Sequence, residues 1–241
     1  MPIVWLLFAI DAATARGLLL HALEEVEPPP SLRASFQATI TSDDGIRQIA
    51  FDPYAAPDQR FRVIGRRGDS EELDAIVDSW RAEGQADARL FADDLRASLG
   101  DVRLFADGAR WAIQFRHRIS PNDGPVDQLI SSRMVGNLEL EEATGRLKEV
   151  SYQIEHPVKL ETGATLYAYR QTYHFTHSDR WGVSFVSSYD LEARGGRWGV
   201  QESREVHVRL DAVRFALASD ANQDLETRVV QPERPSTVQY R

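Results

Sequence analysis

The sequence predicts a mainly β, α+β fold. The expected form is a single strongly curved antiparallel sheet forming an incomplete barrel, with an N-terminal helix and a mid-chain helical insertion covering its concave face. Three observations predict it. Much of the chain after Leu32 alternates apolar and polar residues with a period of two, as half-buried strands do. Short turns join these segments, so sequence neighbours pair antiparallel. The stretch between Ser70 and Gly100 is the long excursion into a helical period.

The elements follow in order. Leu18, Leu19, Leu20, Ala22, Leu23 and Val26 fall on one helical face, and Glu27-Pro28-Pro29-Pro30 ends the helix because proline cannot donate to its ladder. In Arg33–Thr41, Ala34, Phe36, Ala38 and Ile40 share one strand face. Asp43-Asp44-Gly45 turns the chain into a partner strand over Ile46–Phe51. The next stretch, Phe51-Asp-Pro-Tyr-Ala-Ala-Pro-Asp-Gln-Arg-Phe61, holds two donor-less prolines, so it reads as a connection with Phe51 and Phe61 anchoring the strand ends. Arg60 is expected to pair with Asp52 or Asp58. Strand character resumes over Phe61–Ile64.

Ser70 then caps a helix whose buried face is Leu73, Ile76, Val77 and Trp80. A second helix is expected over Ala88–Leu99, ended by Gly100. Beyond Val102 the pattern is β again. Trp111, Ile113 and Phe115 share a face, Ser120–Pro125 reads as a loop, and Met134–Glu155 reads as a hairpin. Three long strands over Leu166–Phe175, Trp181–Ala193 and Trp198–Leu210 complete about ten strands. Turns are expected at Ser178-Asp179 and Gly195-Gly196. The domain therefore spans residues 16–218, and the polar tail 219–241, with Pro232 and Pro235, is expected to be poorly ordered.

Composition removes several functions. With 28 Lys+Arg against 37 Asp+Glu, the formal net charge of −9 leaves nothing to attract a phosphate backbone, so no nucleic-acid partner is expected. The chain has no cysteine, which excludes disulfides, thiolate metal sites and cysteine nucleophiles. The apolar run Ile3–Ile10, followed by Ala13-Thr14-Ala15, reads as a possible signal peptide over residues 1–15 and so as export. The alternative is the first turn of a buried helix and a cytoplasmic protein. No stretch reaches the ~20 apolar residues of a membrane-spanning helix.

Catalytic signatures are missing from the sequence: it has no GxSxG, no P-loop and no HExxH, and Gly195-Gly196-Arg-Trp-Gly199 lacks dinucleotide-loop spacing. His174 and His177 stand three apart on a strand and so face opposite ways, while His117, His156 and His207 read as isolated. No metal site and no cofactor are expected. The pairs Asp93-Asp94 and Glu71-Glu72 read as solvated helix faces. The chain is read as non-enzymatic.

The aromatic residues carry more information. Tyr167, Tyr169, Tyr173 and Phe175 alternate along one strand, and Trp181, Phe185 and Tyr189 along the next. Ordinary core packing is one reading. The other is an apolar cavity, lined by these residues with Phe36, Phe61, Trp111 and Phe115, in which tyrosine hydroxyls meet a polar head group. A few helices cannot cover a whole ten-stranded sheet, which leaves room for a ligand.

The order of elements, with Arg33-Ala-Ser-Phe36 opening the first strand, resembles the bacterial outer-membrane lipoprotein carrier family. The stretches Phe51-Asp52-Pro53 and Pro57-Asp58-Gln59-Arg60-Phe61 look closer still to a group of uncharacterised exported bacterial proteins. The resemblance spans Leu18 to Leu217. It implies an incomplete β-barrel in the periplasm that binds a lipid, a lipoprotein or another acylated or amphipathic molecule. A protein-interaction module with a filled core is the alternative.

Overall fold

The computed structural model describes residues 12–82, 86–91, 95–107, 110–119, 125–141, 143–197 and 200–218, with the side chains of 12–16, 88, 103–107, 110–112 and 125–127 set aside. Residues 1–11 of the expected leader and the expected tail 219–241 lie outside the described residues. Helix α1 runs Ala12–Glu25, so Ala13-Thr14-Ala15 falls inside it. Strands β1 (Leu32–Ser42), β2 (Gly45–Phe51) and β3 (Phe61–Arg67) follow, then helix α2 (Glu71–Ala82), a 3-10 turn (Ala86–Leu90) and helix α3 (Leu95–Ser98). Strands β4 (Leu99–Asp107) and β5 (Arg110–His117), helix α4 (Pro125–Ser131), and strands β6 (Met134–Leu140), β7 (Leu147–Ile154) and β8 (Val158–Lys159) continue the chain. The long strands β9 (Thr165–Ser178), β10 (Val183–Arg197) and β11 (Val200–Leu217) complete it.

All eleven strands among the described residues belong to one antiparallel sheet in the order β3-β2-β1-β11-β10-β9-β7-β6-β5-β4, with β8 beside β9. The first strand therefore pairs with the last, Leu32 opposite Leu217 and Ser42 opposite Val206. The sheet does not close: β3 and β4 are its edges, and the chain between them is the helical insertion. One row of side chains crosses the sheet level from Ile113 through Leu138, Val150, Tyr173, Tyr189, Val208 and Ile40 to Arg47. Strand pairing puts these residues on one face, and that face carries the helices.

Two cores form there. In the first, α2 and the 3-10 turn press Leu73, Val77, Trp80 and Leu90 onto Phe36, Ile49, Phe51 and Phe215. In the second, α1 presses Leu19, Leu23 and Val26 onto Phe115, Leu138 and Val150. Leu90 and Phe91 enter the first core, whereas Leu95 and Leu99 enter the second. The chain must pass from one core to the other within a few residues. A single helix over Ala88–Leu99 cannot do that, so the expected helix is replaced by the 3-10 turn and the one-turn α3, and Gly100 lies inside β4. Asp87 holds the turn in place: its carboxylate accepts the Ala34 N–H, beyond the reach of β2. Burial raises the Asp87 carboxyl above its usual range.

Other departures are local. Helix α4 arises where composition reads as loop, and Pro125, its first residue, suits a helix start because the missing N–H has no intrahelical partner there. Gly195 and Gly196 lie within β10 rather than at a turn. A Cβ on Gly196 would come 2.5 Å from the Val200 carbonyl and 3.3 Å from the Tyr167 ring, so close approach explains the glycine. Gly136 is similar: the Phe115 ring lies over it, 2.2 Å from where a Cβ would stand. The Phe51–Phe61 stretch is the connection expected, with Phe51 paired to Phe61. Arg60 pairs with neither aspartate, because its Nε donates to the Ala55 carbonyl (3.2 Å) while Asp52 Oδ1 accepts the Tyr54 N–H (3.0 Å).

The helix-bearing face also buries a charge. The Arg47 side chain is 1% exposed and belongs to the inward row. Its Nε donates to Asp74 Oδ1 (2.7 Å), and the guanidinium also donates to the carbonyls of Ile46, Arg67, Gly68 and Ser70 (3.0, 3.1, 3.3 and 3.2 Å). Every partner except Ile46 lies on the β3–α2 connection or the first turn of α2. The pairing lowers the Asp74 carboxyl below its ordinary range. Replacing Arg47 with methionine leaves buried carbonyls without a donor. The expected loss is about 3 kcal/mol, read as a lower urea midpoint at unchanged slope.

Candidate functional site

A cavity of about 260 Å³ lies where α2 and the 3-10 turn stand over β9, β10 and β11. Its floor is Val186, Leu191, Val206, Val208 and Leu210. Its helical wall is Ile76, Ser79 and Trp80 from α2, with Arg89 and Leu90 from the turn. Gln171, Tyr173, Ser188 and Tyr189 complete the lining. Helical spacing explains the wall: Leu73, Val77 and Trp80 face the first core, while Ile76 and Ser79 turn toward the opening.

The polar groups converge from two strands. Tyr173 and Tyr189 are cross-strand partners, with ring centroids 4.8 Å apart. Gln171 Nε2 donates to the Tyr169 hydroxyl and, at 3.3 Å, to the Tyr189 hydroxyl. Burial pushes the Tyr189 phenol up to about 12, so it stays protonated across the physiological range. The Arg89 guanidinium stacks over the Trp80 ring at 5.1 Å and pulls against that rise in Tyr189. The arrangement offers hydrogen-bond donors at one end of a mostly apolar chamber. It brings no nucleophile and base together.

The eleven aromatics named from sequence divide sharply. Tyr173 and Tyr189 line the cavity. Phe36, Phe115 and Phe185 are 4%, 1% and 0% exposed and fill the cores instead. Phe61 packs at the margin of the first core beneath Arg81, and Phe175 at the margin of the second. Tyr169 stands beside the cavity, linked through Gln171. Trp181 lies in the β9–β10 turn rather than in a strand and packs against the first core. A bulge between Val186 and Ser188 breaks the period that seemed to align Phe185 with Tyr189. Tyr167 is 49% exposed near the outer end of β9. The Trp111 side chain lies outside those described, as do Asp93 and Asp94. Glu72 forms an ion pair with Arg204 at 2.5 Å.

Sequence reading missed Gln171 and Arg89. Gln171 shares the face of Tyr169 and Tyr173, so its parity was legible, whereas nothing local places Arg89 at the opening.

The histidines do face opposite ways. His177 sits between Ser184 Oγ (3.1 Å) and Glu25 of α1 (3.7 Å), and burial lowers its imidazole. His174 lies on the other face, 3.2 Å from Asp190 and 3.6 Å from Glu149. His207 is not isolated, because it opposes Asp190 in the β10–β11 register and approaches it to 2.6 Å. Among the described residues no group of three or more such side chains can hold a metal ion.

The hydrogen bond with Asp190 raises His174 above its ordinary value of 6.5, and the same bond lowers Asp190 below 3.8. A raised histidine stabilises the fold fully below 6.5 and loses that contribution as pH rises through its folded value. A lowered aspartate contributes above 3.8 and loses it as pH falls further. The cluster therefore contributes most between those limits. Asp190→Asn should lower the melting temperature more at pH 5.5 than at pH 9, and an equal drop at both would refute the assignment.

No family model matches the sequence, and no curated protein matches it. A solved structure, "Crystal structure of MucB in complex with MucA(peri)", aligns over 81% of this chain and 93% of its own, with 11% identity and a TM-score of 0.22. A likeness at that level bears on neither fold nor function.

Proposed function

We propose that this chain is a non-enzymatic binding or carrier protein for an amphipathic molecule, a lipid or acylated ligand, acting in the periplasm. The cavity carries this reading. It is roofed by a helix at one end of its sheet face, floored by aliphatic strands, and edged with tyrosine hydroxyls and one guanidinium. Removing an apolar chain from water there supplies roughly 25 cal/mol per Å² buried. Helix α2 suits a roof that moves, since Arg47 pins its first turn while Ile76, Ser79 and Trp80, further along, line the opening. The leading apolar run and the resemblance to lipoprotein carriers support the periplasmic setting. Among the described residues no helix is long and apolar enough to cross a membrane.

A second reading, a module that holds a protein partner, draws on edge strand β3. Its Val63 and Ile64 are 42% and 50% exposed beside Arg62 and Arg67. An exposed edge with apolar side chains accepts an extended segment of another chain.

Mass spectrometry of natively purified protein, compared with delipidated protein, separates the two readings. An amphiphile should accompany the wild type and be lost from Ser79→Trp, which places an indole in the opening from an exposed helix position. Repeated native preparations without an amphiphile would sink the carrier reading. One stoichiometric protein captured from periplasmic extract, and lost on replacing Val63 and Ile64 with lysine, would favour the second.

A further inference from the structure

The cavity's size and its polar end narrow the ligand further than "amphipathic". At about 260 Å³ the chamber holds on the order of nine water-sized groups, taking about 30 Å³ for each. That is the size of a short apolar body and falls well below the volume of a diacyl lipid.

The polar end is built from donors. Gln171 gives its amide N–H to the Tyr189 oxygen at 3.3 Å, so the phenol oxygen already accepts a hydrogen bond. Its own O–H then points elsewhere, and Tyr189 lines the cavity. The phenol cannot ionise near neutral pH to become an acceptor instead. Arg89 lines the same chamber and carries further N–H donors with a permanent positive charge. A guanidinium and a phenol O–H together match an anionic oxygen and offer a neutral hydroxyl much less. Arg89 sits on a turn that Asp87 ties to the Ala34 N–H, so this donor is held by the fold.

From this we propose that the cavity selects a small apolar monocarboxylate, a single short hydrocarbon body bearing one carboxylate that meets Arg89 and Tyr189. The inference rests on the amphiphile-binding reading and names the ligand class of that same site.

Calorimetric titration of the full chain, stripped of bound molecules, with octanoate, octan-1-ol and palmitate tests it. Octanoate should bind at least tenfold tighter than octan-1-ol, and palmitate should bind more weakly than octanoate. Arg89→Gln and Tyr189→Phe should each lower the octanoate-to-octanol preference about tenfold, with Arg89→Lys retaining part of it. Arg89 is exposed, and Tyr189→Phe removes a single oxygen, so both variants keep the fold, which circular dichroism would check. Equal binding of octanoate and octan-1-ol would overturn the carboxylate assignment while leaving amphiphile binding intact. Tighter binding of palmitate would overturn the size assignment in the same way. Absence of binding by all three, together with native preparations free of amphiphile, would overturn both this inference and the reading beneath it.

Discussion

The backbone ladder between Leu32–Ser42 and Val206–Leu217 sets the first and last strands side by side in the interior of the sheet. With that pairing made, every remaining connection links sheet neighbours except the one from β3 to β4, which are the two edges. The sheet can therefore open at one place only, and the chain that bridges the opening has to carry its own apolar surface. The residues between β3 and β4 do so, giving Leu73, Val77, Trp80 and Leu90 to one core and Leu95 to the other. Roof and opening thus have a common origin in one strand pairing.

The buried guanidinium of Arg47 converts that topology into a defined geometry. Apolar packing is non-directional, so Leu73 and Val77 alone would let α2 slide over the sheet. Arg47 has donors in a fixed planar fork, and its acceptors on the β3–α2 connection and at Asp74 fix where the helix begins. The end of α2 beyond that anchor faces the cavity. Asp87 does similar work on the turn that follows, by taking a β1 N–H that no strand reaches. Two charged residues turned toward the covered face thus decide how much of the sheet the insertion covers and where it stops.

The cavity exists because the two cores do not merge. Helix α1 covers β5 to β7, and α2 covers β1, β2 and β11, so Tyr173 on β9 and Tyr189 on β10 lie between them. Their hydroxyls and Gln171 supply polar partners to one another, which lowers the cost of leaving polar atoms inside an apolar face. Opposite them, on the outer face, His174, Asp190 and His207 form a separate polar cluster. The same strands thus carry a mostly apolar inner lining and a titratable outer surface, as the two-residue period of a strand allows.

The sequence by itself determined the class of fold, the N-terminal helix, the capped helix at Ser70 and most of the strands. Each of these is written in local periodicity or in a proline or glycine signal, and neither needs a distant residue to be read. It also determined that Tyr169, Tyr173 and Phe175 share a face, and that His174 and His177 do not. Only the tertiary structure decided that Phe36, Phe115 and Phe185 fill cores, that Tyr173 and Tyr189 line a cavity, and that His207 meets Asp190. Period two assigns a residue to a face but says nothing about which residue stands opposite it or which helix lies above. Those depend on register, on the bulge at Val186 and Ser188, and on the path of an insertion pulled between two cores. Arg89 was illegible for the same reason, because its place at the opening comes from long-range contacts that hold the turn and not from the turn's own sequence.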